Sequence, residues 1–151
     1  MSPRIAIALL APLFLIAAAP DEEAVKKERK KLDGSWLASQ TSVEKDNGKL
    51  VKFTQNFRLV IRDEDRFTLS QKFSDEKEYK ELASGTFTVD PSKKPREMDM
   101  TYIDQEGASK CIYEFDGTTL KLLGGKPGGA RPKEFDKEKT LVFKREVKKK
   151  K

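Results

Sequence analysis

From Trp36 to Arg145 the apolar residues recur at every second position in short runs, and turn-forming residues end each run. Period two sends successive side chains to opposite faces of an extended strand, so these runs fold by pairing into a sheet with one buried face. The first strand is expected from Trp36 to about Val43, turned at Asp46-Asn47-Gly48, whose Asn-Gly pair suits a tight hairpin. A second strand carries Leu59 and Ile61 on one face and ends at Asp63-Glu64-Asp65. The third alternates Phe67, Leu69 and Gln71 against Thr68 and Ser70. After the charged stretch 74–81, a fourth sets Phe87 and Val89 against Thr86 and Thr88. Pro91 and Pro95 keep 90–95 out of a sheet, because proline fixes φ and lacks a backbone donor.

A fifth strand carries Met98, Met100 and Tyr102, and 104–107 turns it into a sixth from Cys111 to Phe115. Asp116-Gly117 is a second hairpin signal, and Leu120 and Leu122 follow on the seventh. Gly124 to Pro132 reads as a loop, and Thr140 to Glu146 as the eighth strand. Eight antiparallel strands with short links favour closure into a barrel, which removes exposed edges. Two packed sheets are the competing architecture.

The segments before and after the strands have other roles. Residues 1–19 pair Arg4 with an apolar run from Ile5 to Ile16 and end in Ala17-Ala18-Ala19, the pattern of a cleaved signal peptide. Pro20 disfavours a cut after Ala19, which leaves Ala18 as the alternative; an uncleaved anchor is the other reading of the run. The expected location is extracytoplasmic, in the periplasm or secreted. Residues 20–33 read as a helix and linker, with acidic residues first and basic residues last, as the helix dipole favours. Ala24, Glu28 and Leu32 share one face, a thin stripe that suits docking on a barrel end. The barrel domain is then 34–146, followed by a basic tail, 147–151, expected to be disordered.

The chain carries 31 basic and 25 acidic residues; of that excess of 6, one is Arg4 and four are Lys148 to Lys151. The body is therefore close to neutral. The lysine tail suits an anionic envelope component, or is a solvated end. No aromatic residues interleave with basic ones in the manner of nucleic-acid binders, so no nucleic acid is expected. Cys111 is the sole cysteine, which excludes an intramolecular disulfide, and its apolar run places it in the core.

Several pieces of the chain together resemble a known family. They are Leu32-Asp33-Gly34-Ser35-Trp36, Gly85 to Pro95, Ile112 to Leu120, Arg131-Pro132-Lys133-Glu134-Phe135, and Leu141-Val142-Phe143-Lys144-Arg145. The combination resembles a functionally uncharacterised, lipocalin-like domain family that is much expanded in exported planctomycete proteins. The resemblance covers nearly all of 32–145 and implies an all-β, eight-stranded antiparallel lipocalin-like β-barrel and export. It carries no catalytic or binding residues to transfer. In lipocalins a tryptophan closes one barrel end under a late arginine. Gly34, Trp36 and Arg145 are thereby expected to have structural roles, with a cation–π contact worth roughly 0.5–2 kcal/mol.

The chain has no histidine, which removes Ser-His-Asp and Cys-His nucleophile arrangements and histidine-based zinc sites. A lone cysteine builds no thiolate metal site, and 124–129 lacks the Gly-Lys-Ser/Thr ending of a phosphate loop. Asp63-Glu64-Asp65 are adjacent in a tight turn and point apart, which suits a solvated tip better than a cation site. No enzyme, metal or cofactor is expected, and the chain is expected to act as a monomer.

The candidate site is the barrel interior. The inward set comprises Trp36, Leu59, Ile61, Phe67, Leu69, Phe87, Val89, Met98, Met100, Tyr102, Tyr113, Phe115, Leu120, Leu122, Leu141 and Phe143. A barrel of eight strands either fills with side chains or holds one small ligand. In the second case a small apolar or amphipathic ligand is expected against Phe87, Met98, Met100, Tyr102 and Tyr113, open toward 124–132 or 90–95. In the first the chain is a cell-envelope interaction or structural protein with a packed core, working through its loops and tail.

Overall fold

The computed structural model describes residues 19–147; the signal-peptide reading of 1–18 and the lysines 148–151 lie outside the described residues. One helix, α1 (Glu22–Leu32), precedes eight strands: β1 (Gly34–Asp46), β2 (Lys49–Arg62), β3 (Arg66–Phe73), β4 (Lys80–Asp90), β5 (Arg96–Tyr102), β6 (Ala108–Phe115), β7 (Thr119–Pro127) and β8 (Leu141–Arg145). Each strand pairs antiparallel with the next, and β8 returns to β1 through Trp36 opposite Arg145 and Leu37 opposite Lys144. The result is a closed eight-stranded barrel of the lipocalin-like, all-β kind, and the two-sheet alternative is excluded by that closing pair.

Strand ends follow the turn chemistry. Asn47 and Gly48 both have positive φ (47° and 82°), as a type I′ hairpin requires. At the β6–β7 turn Gly117 takes φ 94°, while the Asp116 carboxylate accepts the backbone N–H groups of Thr118 and Thr119 at 3.1 and 2.8 Å. Two extents differ from the sequence reading. β1 and β2 run past the barrel as a two-stranded arm, because β8 pairs only with Trp36 and Leu37 and β3 reaches only to Gln55. Gly124 to Pro127, expected as loop, continue β7. Glycine is what allows this: a Cβ on Gly125 would lie 2.8 Å from the Ala130 carbonyl oxygen, and one on Gly124 3.1 Å from Cys111 Sγ.

Inside, the alternation sorts as expected. Trp36, Leu59, Ile61, Phe67, Phe87, Val89, Met98, Met100, Tyr113, Leu120 and Phe143 are buried in one cluster, with Leu69, Tyr102, Phe115, Leu122 and Leu141 packed partly buried against it. Leu32, Ala38, Phe57 and Cys111 complete it. Burial holds the Cys111 thiol up to about 12, so it is a core hydrophobe rather than a nucleophile. Aromatic edges pack on faces, Trp36 with Phe115 at 5.7 Å and Phe67 with Tyr102 at 5.6 Å between ring centroids. The second pair spans Gly85, which stands between Phe67 and Tyr102 in register.

Antiparallel order fixes which segments share an end. The β2–β3, β4–β5 and β6–β7 turns and α1 gather at one end, here the helix end. Asp21 caps α1 by accepting the Glu23 N–H at 3.1 Å; Glu22 and Glu23 occupy its first turn and Arg29, Lys30 and Lys31 its last. Leu32 is fully buried and Val25 packs on the core, so the helix covers this end.

Gly85 tests the packing most sharply, because a Cβ there would sit 1.9 Å from the Thr101 carbonyl oxygen. Gly85→Ala is expected to cost about 2–3 kcal/mol, the upper range for overpacking. The measurement is the urea midpoint, which should fall with an unchanged slope.

Candidate functional site

Two arginines tie the helix end together, and a third holds the segment between β7 and β8. Arg145 lies over the Trp36 ring, 4.1 Å from guanidinium carbon to ring centroid. Its N–H groups reach the carbonyls of Lys31, of Asp33 at 2.7 Å and of Gly117 at 3.3 Å. Trp36 Nε1–H donates to the Leu32 carbonyl at 2.8 Å. The two side chains thus satisfy carbonyls that the last turn of a helix leaves without partners. Gly34 makes room for this: its φ is 133°, and a Cβ would come within 2.8 Å of Arg145 Nη1.

Arg96 does the second job. Its partner in register is Tyr113, so it faces inward at the last position of the barrel wall. Arg96 Nη1 donates to Glu28 Oε1 at 2.8 Å, and the Tyr113 hydroxyl donates to the same oxygen at 3.2 Å. Lys31 Nζ stands 3.5 Å from Glu28 Oε2. The Glu28 side chain is only 4% exposed, so this is a carboxylate held beneath α1 by three donors. Burial, then the nearby carboxylate, pushes the Tyr113 hydroxyl far above its ordinary value, and it remains a donor.

Arg131 is the third. Glu97 and Asp99 alternate with the inward Met98 and Met100 and therefore face outward. Arg131 meets both, Nε to Glu97 Oε2 at 3.2 Å and Nη2 to Asp99 Oδ1 at 2.6 Å, and donates to the Cys111 carbonyl at 2.7 Å. The segment between β7 and β8, residues 128–140, is thereby drawn as a strap across the outside of β5 and β6. Ile112 and Leu123, opposite each other in register, are buried outside the core cluster on that outer face.

Between this segment and the helix end lies a cleft of about 560 Å³, lined by Pro91, Lys93, Lys94, Pro95, Arg96, Tyr113, Glu114, Phe115, Lys133, Glu134 and Phe135. That is within the usual range for small-molecule sites. Its apolar surface comes from the two prolines, Phe115 and Phe135. Lys93, Lys94 and Lys133 stand exposed around it, and Glu114 is engaged by Lys121 at 2.9 Å. The Asp90 carboxylate accepts the Ser92 hydroxyl and its N–H, which holds Asp90 below the usual carboxylate range and shapes the loop bearing the lysines.

Of the residues expected to meet a ligand, only Tyr113 borders this cleft, and its side chain is buried beneath it. Phe87, Met98 and Met100 lie in the packed core at 2%, 1% and 5% exposure. Tyr102 borders a different hollow, with Arg66, Gly85, Thr86, Thr101 and Ile103. The cleft does adjoin the 90–95 loop, one of the two expected openings. Arg96 and Arg131 were not singled out by periodicity. Glu28 had a signal, a charge on the docking stripe between Ala24 and Leu32. Among the described residues no group of three acidic or cysteine side chains comes together as a metal site, and Asp63 and Glu64 form a turn tip with φ 54° and 64°.

No family model matches the chain, and neither does any curated protein or solved structure.

Arg131→Met should free the strap from β5 and β6. Because Arg131 is 20% exposed and its acidic partners are 32% and 38% exposed, screening limits the cost to about 1–2 kcal/mol. Denaturant unfolding reads that loss, and limited proteolysis should cut first within 128–140.

Proposed function

We propose that this chain is an exported, non-enzymatic binding module for a small amphipathic anion, held in the cleft beside the 90–95 loop rather than in the barrel interior. The observation that carries this reading is the cleft's composition: apolar walls from Pro91, Pro95, Phe115 and Phe135, with the four cations Lys93, Lys94, Lys133 and Arg96 against Glu134 and a Glu114 already engaged by Lys121. Apolar surface supplies the favourable burial of a hydrocarbon or ring body, and cations around it orient a negatively charged head. The core favours the same choice. Phe87, Met98 and Met100 are packed against one another and their neighbours, so a ligand there would have to displace side chains in contact.

A binding role fits the chemistry better than catalysis. The chain lacks histidine, and the outward carboxylates Glu97 and Asp99 are taken up by Arg131. Export rests on the first residues: Arg4, the apolar run and Ala17-Ala18-Ala19. The resemblance to the exported planctomycete family points the same way.

Two measurements test the reading. The full chain, expressed in a host that exports it, should be recovered with an intact mass lacking residues 1–18 or 1–19; a full-length mass overturns the signal-peptide reading. The recovered protein should bind 1-anilinonaphthalene-8-sulfonate, an aromatic body with an anionic head, saturably at one site. Lys94→Glu with Lys133→Glu should weaken that binding by about tenfold at low salt, with the gap closing as salt rises. Equal affinity in the double variant overturns the cleft assignment.

A further inference from the structure

The cleft's deepest cation is already in use. Arg96 borders the cleft with a side chain 36% exposed, yet its Nη1 is bonded at 2.8 Å to a carboxylate only 4% exposed, that of Glu28 on α1. A guanidinium presents its N–H groups in one planar fork matched to a carboxylate or sulfonate, and an exposed lysine offers no such fit. Arg96 is thus the best-shaped anion receptor in the cleft, and the protein fills it with an acid of its own. Glu28 is also unusually well placed to let go. Tyr113 donates to the same oxygen at 3.2 Å and Lys31 approaches the other at 3.5 Å, so the carboxylate keeps two partners when Arg96 turns outward. A buried acid with a single partner would be stranded by that movement, and the exchange would be prohibitively costly.

We propose that Glu28 is an internal competitor for the cleft's ligand: the head group of an incoming anion and the Glu28 carboxylate exchange at Arg96, so that binding and the docking of α1 are linked. The inference rests on the cleft being the binding site. Linkage is reciprocal, so whatever loosens Glu28 tightens the ligand, and the ligand loosens the hold of β5 on α1 by the same factor. The device also sets specificity. A neutral ligand makes no claim on Arg96 and is indifferent to Glu28, whereas a monoanion feels the competition in full.

The test compares 1-anilinonaphthalene-8-sulfonate with N-phenyl-1-naphthylamine, which has the same rings without the sulfonate. Glu28→Gln retains an oxygen acceptor for Arg96 and Tyr113 but removes the competing charge. It should tighten sulfonate binding by about tenfold, the worth of one charge-assisted hydrogen bond, and leave the neutral compound unchanged. In an Arg96→Gln background the same substitution should give no gain, which isolates the pair from the rest of the cleft. If Glu28→Gln fails to fold, Glu28→Asp, which draws the carboxylate back by one methylene, should shift sulfonate affinity in the same direction. Unchanged or weaker sulfonate binding in the Glu28 variants, an equal gain for the neutral compound, or a gain that survives Arg96→Gln overturns the competition while leaving the cleft intact as a site. Absence of sulfonate binding by both the wild type and Glu28→Gln overturns the cleft reading itself, and the competition with it.

Discussion

The barrel depends on how its helix end is shut. A strand barrel of this size is filled by side chains along its length, but its ends must still be kept from water. Here the stopper is α1, and a helix laid across strand ends brings its own difficulty, a last turn of carbonyls without partners. Trp36 and Arg145 answer both needs at once. The indole fills the end of the core while its N–H takes the Leu32 carbonyl, and the guanidinium stacks on the ring while reaching Lys31, Asp33 and Gly117. The same two residues stand opposite each other where β1 meets β8. One contact therefore closes the sheet, stops the helix and covers the core, and Gly34 has to be glycine for the three to coincide.

Around that fixed point the helix end is built in two grades of permanence. The Trp36 clasp joins a fully buried indole, its N–H on the Leu32 carbonyl and the Arg145 guanidinium stacked over the ring. The Glu28 contact, four residues earlier than Leu32 on the same helix face, is polar and shared among three donors. Three donors on one carboxylate leave it partnered when any one of them is exchanged. The strap held by Arg131 adds a third element. It is bonded to the outward carboxylates of β5 and brings Lys133 and Phe135 to the cleft.

Much of the barrel was legible in the chain because alternation is a local property. Phe67 and Leu69, or Met98 and Met100, announce their faces within a few residues, and Asn47-Gly48 and Asp116-Gly117 announce their turns. What failed locally failed for reasons of tertiary contact. Gly124 and Gly125 read as a flexible loop, but they are extended because the strap and Cys111 approach too closely for a side chain. Ile112 falls on the polar face by alternation and is nonetheless buried there, beside the Cys111 carbonyl that Arg131 takes from some twenty residues later in sequence. The cleft was out of reach for the same reason. Its walls come from the β4–β5 loop, the end of β6 and the strap, none of which carries a binding signal alone. The interior, where apolar alternation pointed, is the part that packs solid.

This separation also explains why the interior and the cleft make different demands on sequence. The core is tolerant of ligand-like softness only if space is left, and Met98 and Met100 are instead buried in the same cluster as Phe87 and Val89, their partners in register. The cleft needs no adaptable residue, because its shape is set by prolines, by the Asp90 cap on the loop and by a strap pinned through Arg131. Within these walls the orientation of Arg96 is set by a carboxylate on a helix that is itself clasped four residues further on. The proposed exchange thus falls between Arg96 on β5 and Glu28 in the middle of α1, between the Asp21 cap and the Trp36 clasp, and swaps one ion pair for another without involving the contacts that close the barrel.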